Sequence, residues 1–404
     1  MKKLSRLCLL LILLLTLSAC GGQGSGQSGA DAGLGKNDPS GETQVNAGKR
    51  ANDGAVAFDQ MTWEKGMELS HATQFFVEKY QEYYLITIVE NDRFLLIPEG
   101  GTVPTGVPKD VIVLQKPLQK AYLASSSVFD LIREIGALDR LRLSGTKKED
   151  LCITEVISAL ENGSLLYAGK YSKPDYELIV KEGCDLAIEN TMIYHNPEAK
   201  EKLEALGIPV LVETSSYESH PFGRMEWIKL YGLLFDKEEE AEQFFSRQVS
   251  NLESVLQQEK TGLKVAIFYV NSNGVINVRK PGDYVAKMIS LAGGEYVLAG
   301  LKTDEENALS TMNMQMEDFY LAAKDADLII YNSTIVGELK SISDLTALSP
   351  LFADFKAVKD DRVYCTAKNF FQETTAIGDF VEDLNKAMRM PAETKFHQLI
   401  KVGR

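Results

Sequence analysis

The stretch PDYELIVKEGCDLAIENTMIYHNPEAKEKLEALGIPVLVE, residues 174–213, decides the fold. It reads as a helix from about Pro174 to Lys181, a short apolar strand over 185–189, a second helix over 197–206 and a further strand over 208–213. Short apolar strands set between helices belong to a mainly parallel sheet with helices on both faces, because each strand must hide both of its sides. The alternation extends backwards through VIVL (111–114), a helix around 128–135 and CITE (152–155). Ahead of it, residues 83–97 alternate around Asn91-Asp92 and predict a β-hairpin.

Beyond Gly262 the pattern starts again, with KVAIFYV (264–270), a helix over 283–292 stopped by Gly293-Gly294, a helix over 315–324 and the strand in DADLIIYN (325–332). A helix within 345–355, the strand RVYCT (362–366) and a last helix over 378–388 complete it. In each half a short helix leads into an aspartate and a buried strand, from Glu177 to Asp185-Leu-Ala-Ile and from Glu317 to Asp327-Leu-Ile-Ile, so two lobes of similar design are expected. Between them, residues 224–258 are periodic for one helix, with Trp227, Leu230, Leu233 and Leu234 on one face and Glu238 to Glu242 on the other. At 1.5 Å per residue it would approach ~50 Å, enough to join two lobes as a rod. The expected boundaries are an N-terminal lobe over 56–223 with an extra hairpin region at about 83–97, a linking helix over 224–258 and a C-terminal lobe over 259–404.

The N-terminus has the parts of an export signal over 1–19: Lys2, Lys3 and Arg6, an apolar run from Leu7 to Leu17, then Ser18 and Ala19. The run is too short to span a bilayer comfortably. Leu17-Ser18-Ala19-Cys20 resembles the lipobox of bacterial lipoproteins, which implies cleavage before a lipidated Cys20 that anchors the chain, outside the cytoplasm, to the cell membrane. Residues 20–55, rich in Gly, Ser, Asn and Gln, read as a disordered tether. The formal charge is -14, and removing the three basic residues of the leader makes it -17. That balance argues against nucleic acid and against clinging to anionic lipid. Cys152, Cys184 and Cys365 form no disulfide framework and no C-x-x-C pair, and read as small buried apolar residues.

YAGKYSKPDYELIVKEGCDLAI (167–188), KEKLEALGIPVLVE (200–213) with the acidic helix after it, and FYVNSNGVINVRKPGDYVAKMISLAGGEYV (268–297) resemble the substrate-binding lipoproteins of ABC importers for ferric siderophores, haem and cobalamin. The resemblance covers roughly residues 111–390 and leaves 56–110 outside it. It implies two Rossmann-like lobes joined by one long helix, with no catalytic activity and no cofactor. It further implies a monomer that captures a metal chelate or corrinoid between its lobes and delivers it to an ABC permease dimer with its ATPase. A stiff link would limit closure to small lobe motions. Family members present one glutamate per lobe to permease arginines, and the matching positions are Glu198 and Glu317.

In open α/β sheets ligands sit beyond the carboxyl ends of strands. Those loops hold Ser125–Ser127, Lys170-Tyr171, residues 191–195 with Tyr194, and TSSYESHPFGR (214–224) with Tyr217, Glu218, His220 and Arg224. In the second lobe they hold Tyr269, Asn271, Asn273 and Arg279, then Tyr331-Asn332, then Asn369-Phe370-Phe371. Arg224 suits the carboxylate or hydroxamate oxygens of an anionic chelate, or else an ion pair with Glu218 or Glu226. His220 before Pro221 is a cap or a ligand, and Asn271 and Asn332 bind or close turns. Met312, Met314 and Met316 line a soft pocket wall or pack. A direct zinc or manganese receptor would have to draw on His71, His195, His220 and His397, and a scaffold or adhesion lipoprotein would have no closable cleft. No G-x-S-x-G, P-loop, H-E-x-x-H or Gly-rich dinucleotide turn points to an enzyme.

Overall fold

The computed structural model describes residues 56–302, 311–390, 392–393 and 396–404, so the expected leader, Cys20 and the tether lie outside the described residues. No helix among the described residues is long and apolar enough to cross a membrane.

An N-terminal sheet comes first, with β1 (Trp63–Gly66), β2 (Phe75–Tyr80), β3 (Tyr83–Ile88), β4 (Arg93–Ile97) and β5 (Val111–Gln115) in spatial order. β3 and β4 form the expected hairpin, turning through Glu90 in the left-handed region. The VIVL segment departs from expectation. It pairs parallel to β4 and completes this sheet instead of opening the first lobe. Ile112 and Val113 stay half-exposed, as suits an edge strand, whereas the fully buried Ala-Tyr-Leu of β6 (Ala121–Leu123) takes the central place in the lobe.

The first lobe continues with α1 (Val128–Glu134), β7 (Leu141–Ser144), α2 (Thr154–Asn162), β8 (Leu166–Tyr167), the small hairpin β9 (Gly169–Lys170) and β10 (Lys173–Pro174), and α3 (Tyr176–Glu182). It ends with β11 (Ala187–Asn190), α4 (Pro197–Ala205) and β12 (Val210–Glu213). Its sheet runs β8-β7-β6-β11-β12, and every pair is parallel. The chain order reverses between β6 and β11, which is a topological switch point. CITE is another correction: it enters α2 rather than forming a strand, because Ile153 and Val156 turn inward at helical spacing while Leu141 and Leu143 fill the strand position. α3 is local chemistry written plainly, with the Asp175 side chain accepting from Leu178 N at 3.1 Å and Gly183 closing the helix at φ 72°.

The expected single rod over 224–258 is three helices: α5 (Pro221–Glu226), α6 (Ile228–Phe235) and α7 (Glu238–Leu256). Asp236 at φ 58° ends α6, and α7 doubles back against it. Gly232 makes this possible, since a Cβ there would lie 2.8 Å from the Ala241 methyl. Lys229 then reaches the Glu242 carboxylate at 2.9 Å and lies over the Phe245 ring. Every residue of α5 and α6 is buried, so this segment is core rather than a strut.

The second lobe comprises β13 (Lys264–Val270), β14 (Ile276–Arg279), α8 (Tyr284–Leu291), β15 (Glu295–Tyr296), β16 (Thr311–Met314), α9 (Met316–Ala323), β17 (Leu328–Tyr331) and α10 (Ser333–Val336). Then come α11 (Ile342–Leu348), α12 (Lys356–Lys359), β18 (Val363–Thr366), α13 (Ile377–Arg389) and β19 (Leu399–Lys401). Its sheet runs β16-β14-β13-β17-β18-β19, with β15, β13, β17 and β18 parallel and β14, β16 and β19 antiparallel. The internal repeat is structural: Asp185 accepts from Gln119 N and Lys120 N, and Asp327 from Lys264 N. Each aspartate ties the start of the strand that follows it, β11 or β17, to the start of the strand beside it, β6 or β13.

Candidate ligand-binding cleft

The loops that leave the carboxyl ends of the two sheets meet each other. Ser127 O, after β6, accepts from Thr374 Oγ1 at 3.0 Å. Asp130, wholly buried in α1, accepts from Thr375 N at 2.8 Å and Thr375 Oγ1 at 2.6 Å, and is held by Arg133 at 2.6 Å. After β7, Asp150 O and Cys152 N bracket the Gln372 side chain at 2.6 and 2.8 Å. Residues 372–375 follow β18, so the carboxyl edges of both lobes are apposed.

Beside this seam a cavity of about 430 Å³ opens at the ends of β6, β7 and β8, bounded by Thr146, Lys147, Asp150, Tyr167, Lys170, Tyr171 and Lys173. Three lysines against one aspartate, Asp150, make the lining locally cationic on an acidic protein, and Tyr171 offers a ring for a planar or apolar ligand body, while Lys147 lies over the Tyr167 ring. Of the expected residues only Tyr171, with Lys170, lies here. Sequence reasoning missed Lys147 and Lys173, which sit in Thr-Lys-Lys after β7 and in the β9–β10 hairpin; the one available signal was their place in post-strand loops.

Tyr194 and Tyr217 come together elsewhere, against the tip of the β3–β4 hairpin, where the Tyr194 hydroxyl donates to Asn91 Oδ1 at 2.8 Å. Glu218 is a correction. It is 2% exposed, and its carboxylate accepts from Thr73 N, Gln74 N, Thr73 Oγ1 and the Trp227 indole N–H at 2.9–3.0 Å. Glu226 does the same eight residues on, accepting from Ser70 N, His71 N and Ala72 N at 2.8–3.0 Å and pairing with Lys229 at 3.2 Å. The two glutamates therefore fasten residues 70–74 of the N-terminal sheet to the link between the lobes.

With both carboxylates taken, Arg224 makes no ion pair among the described residues; it is 8% exposed and stacks on the Tyr284 ring at 4.9 Å. His220 caps α5, its Nδ1 accepting from Phe222 N at 3.2 Å, and stacks on His71 with centroids 4.5 Å apart. Burial first, then His71 and Lys287, push its imidazole down to about 4. Arg279, nearly buried, pairs with Asp283 at 3.5 Å and lies over Phe371, next to Phe370 on the loop that carries Gln372. Of the two roles open to Asn271 and Asn332, the local one is seen: Asn271 accepts from Asn273 N and Val275 N and closes the β13–β14 turn, and Asn332 caps α10 through Thr334. Tyr269 is half-buried against the core. Met312, Met314 and Met316 also pack on the core. Glu198 and Glu317 are exposed in the first turns of α4 and α9. No group of three or more His, Cys, Asp or Glu among the described residues is placed to hold a metal ion.

Two α/β lobes thus meet along their carboxyl edges, and the cavity beside that seam is lined by the first lobe. A family model described as periplasmic binding protein matches residues 150–369, and the chain belongs to that family. An uncharacterized lipoprotein of Methanocaldococcus jannaschii is 25% identical over 304 residues, 72% of this chain and 70% of its own length. Similar solved structures include the periplasmic haem-binding protein HutB of Vibrio cholerae, with TM-score 0.54 and 16% identity over 66% of this chain and 99% of that one. A periplasmic haem-binding protein of Pseudomonas aeruginosa gives 0.54 and 16% over 71% and 98%. An ABC-type Fe3+-hydroxamate transport system of Saccharomonospora viridis gives 0.51 and 21% over 67% and 93%. These likenesses establish the two-lobed fold.

Proposed function

We propose that this chain is the extracytoplasmic substrate-binding component of an ABC importer, held at the cell membrane by lipid on Cys20, and that it captures an anionic metal chelate or corrinoid between its lobes. The supporting observation is the first-lobe cavity beside the interlobe seam, which Lys147, Lys170 and Lys173 line together with Tyr167, Tyr171 and Asp150. Carboxylate or hydroxamate oxygens of a ferric siderophore, or the propionates of haem, would meet ammonium groups there, and the body of the ligand would lie on tyrosine. The fold shared with haem-binding and ferric-hydroxamate proteins agrees with that class of cargo. Delivery would engage Glu198 and Glu317, which stand exposed at the N-termini of α4 and α9, one on each lobe.

Titration with haem, a ferric hydroxamate and cobalamin, read by quenching of Trp63 and Trp227 and by melting temperature, tests the substrate class. At least one should bind, and Lys170→Glu with Tyr171→Ala should weaken it about tenfold or more. Silence from all three compounds sinks the class while leaving the fold untouched. Glu317→Lys should abolish uptake in cells and spare affinity; normal uptake removes Glu317 from the docking face.

A further inference from the structure

The N-terminal sheet lies outside the stretch matched by the family model, yet its β3–β4 tip reaches the carboxyl end of the first lobe. Lys200 of α4 pairs with Asp92 at 3.0 Å, Tyr194 binds Asn91, and Glu218 holds the backbone at 73–74. Beside these contacts an open cavity of about 630 Å³ lies between Gln74, Glu90 and Asn91 on the sheet and Tyr194, Thr214 and Tyr217 on the lobe. The Thr214 hydroxyl, wholly buried at its edge, has no hydrogen-bond partner among the described residues. No cationic side chain lines the cavity, and Glu90 is its one charged group.

We propose that this is a second binding pocket, built jointly by the N-terminal sheet and the first lobe, for a neutral polyhydroxylated molecule such as a sugar or cyclic polyol. A sugar hydroxyl both donates and accepts, and the amides of Gln74 and Asn91 with the carboxylate of Glu90 supply both kinds of partner. The rings of Tyr194 and Tyr217 give C–H-rich sugar faces an apolar surface. An anion would meet Glu90, and the neighbouring Lys200 is already paired with Asp92, so charge disfavours the cargo class assigned to the lysine-lined cavity. The two pockets draw on separate walls, and this assignment stands whether or not a chelate binds at the seam.

The test uses the purified full chain, with calorimetry and saturation-transfer NMR against glucose, N-acetylglucosamine, maltose and myo-inositol up to about 10 mM, a range that registers weak sugar affinities. Glucuronate serves as the charged counterpart. At least one neutral polyol should bind, glucuronate should bind more weakly than glucose, and Asn91→Ala and Tyr217→Ala should each weaken binding about tenfold, the worth of one lost polar or ring contact. Tyr171→Ala should leave it unchanged, and melting temperatures confirm that the variants are folded. The proposal is overturned if no neutral polyol binds, if glucuronate binds best, or if Tyr171→Ala is the change that abolishes binding. Glu90→Gln, which alters charge alone, should bring glucuronate to parity with glucose; unchanged discrimination also counts against the assignment.

Discussion

Replacing Glu189 by glutamine probes the most isolated ionisable group of the first lobe. Its side chain is 0% exposed, neither carboxylate oxygen has a hydrogen-bond partner among the described residues, and burial lifts its carboxyl from 4.5 up to about 8. It shares the apolar face of β11 with Ala187, above Tyr122 and Tyr176. The folded chain thus keeps a proton that the unfolded chain has released. Stability from this source is complete below about pH 4.5, declines as pH rises, and is gone above about pH 8. At about 1.4 kcal/mol per pH unit the loss across that window reaches about 5 kcal/mol. Glutamine keeps the volume and cannot ionise. Urea unfolding at about pH 5 should place wild type and Glu189→Gln within about 1 kcal/mol of each other, while at about pH 8.5 the variant should be several kcal/mol more stable. A difference between the two proteins that does not change with pH refutes the reasoning, because an ionised, solvated or paired Glu189 would give that result.

Other expectations follow from the same geometry. Glu226→Ala leaves the amides of 70–72 without an acceptor and should cost about 3 kcal/mol or more, with faster hydrogen exchange confined at first to those amides; global rather than local acceleration would count against a clamp. Asp130→Ala cuts the bond from α1 to Thr375 and should lower stability by about 2–4 kcal/mol and raise the radius of gyration in X-ray scattering; an unchanged scattering profile would mean that other contacts hold the seam. Gly232→Leu drives a side chain into Ala241 and the Lys237 backbone and should cost about 3 kcal/mol by chemical denaturation. Because the half-buried His220 imidazole is held down to about 4, the stability it contributes is present above about pH 6.5 and lost as pH falls through about 4, so His220→Asn should flatten the acid limb of the stability–pH curve.

The aspartates show what was legible in the chain. Asp185 and Asp327 each precede an unbroken apolar triad, Leu186 to Ile188 and Leu328 to Ile330, and a carboxylate placed before a buried strand has little choice but to bind the backbone of the neighbouring strand, so the two-lobe repeat could be read from spacing alone. The rod failed for a reason that periodicity cannot express. Gly232 and Asp236 both continue a helical pattern, and only the approach of Ala241 and the left-handed turn at Asp236 reveal a reversal. Glu218, beside a tyrosine and a histidine after a strand, has the composition of a binding residue; its actual partners are amides 145 residues away, a relation carried by tertiary contact and invisible in local sequence. Lys147 and Lys173 were legible only as loop residues, since a lysine that faces a cleft and one that faces solvent are spelled alike.

A single apolar cluster passes without interruption from Phe75 and Phe94 of the N-terminal sheet, through Trp227 and Tyr231, to Phe268 and Phe380 of the second lobe. Heating should therefore melt residues 56–404 as one cooperative unit, with calorimetric and van't Hoff enthalpies in agreement. A fragment lacking the first five strands would present raw hydrocarbon where Phe75 now rests edge-on to Trp227, and should be recovered from cells only as aggregate.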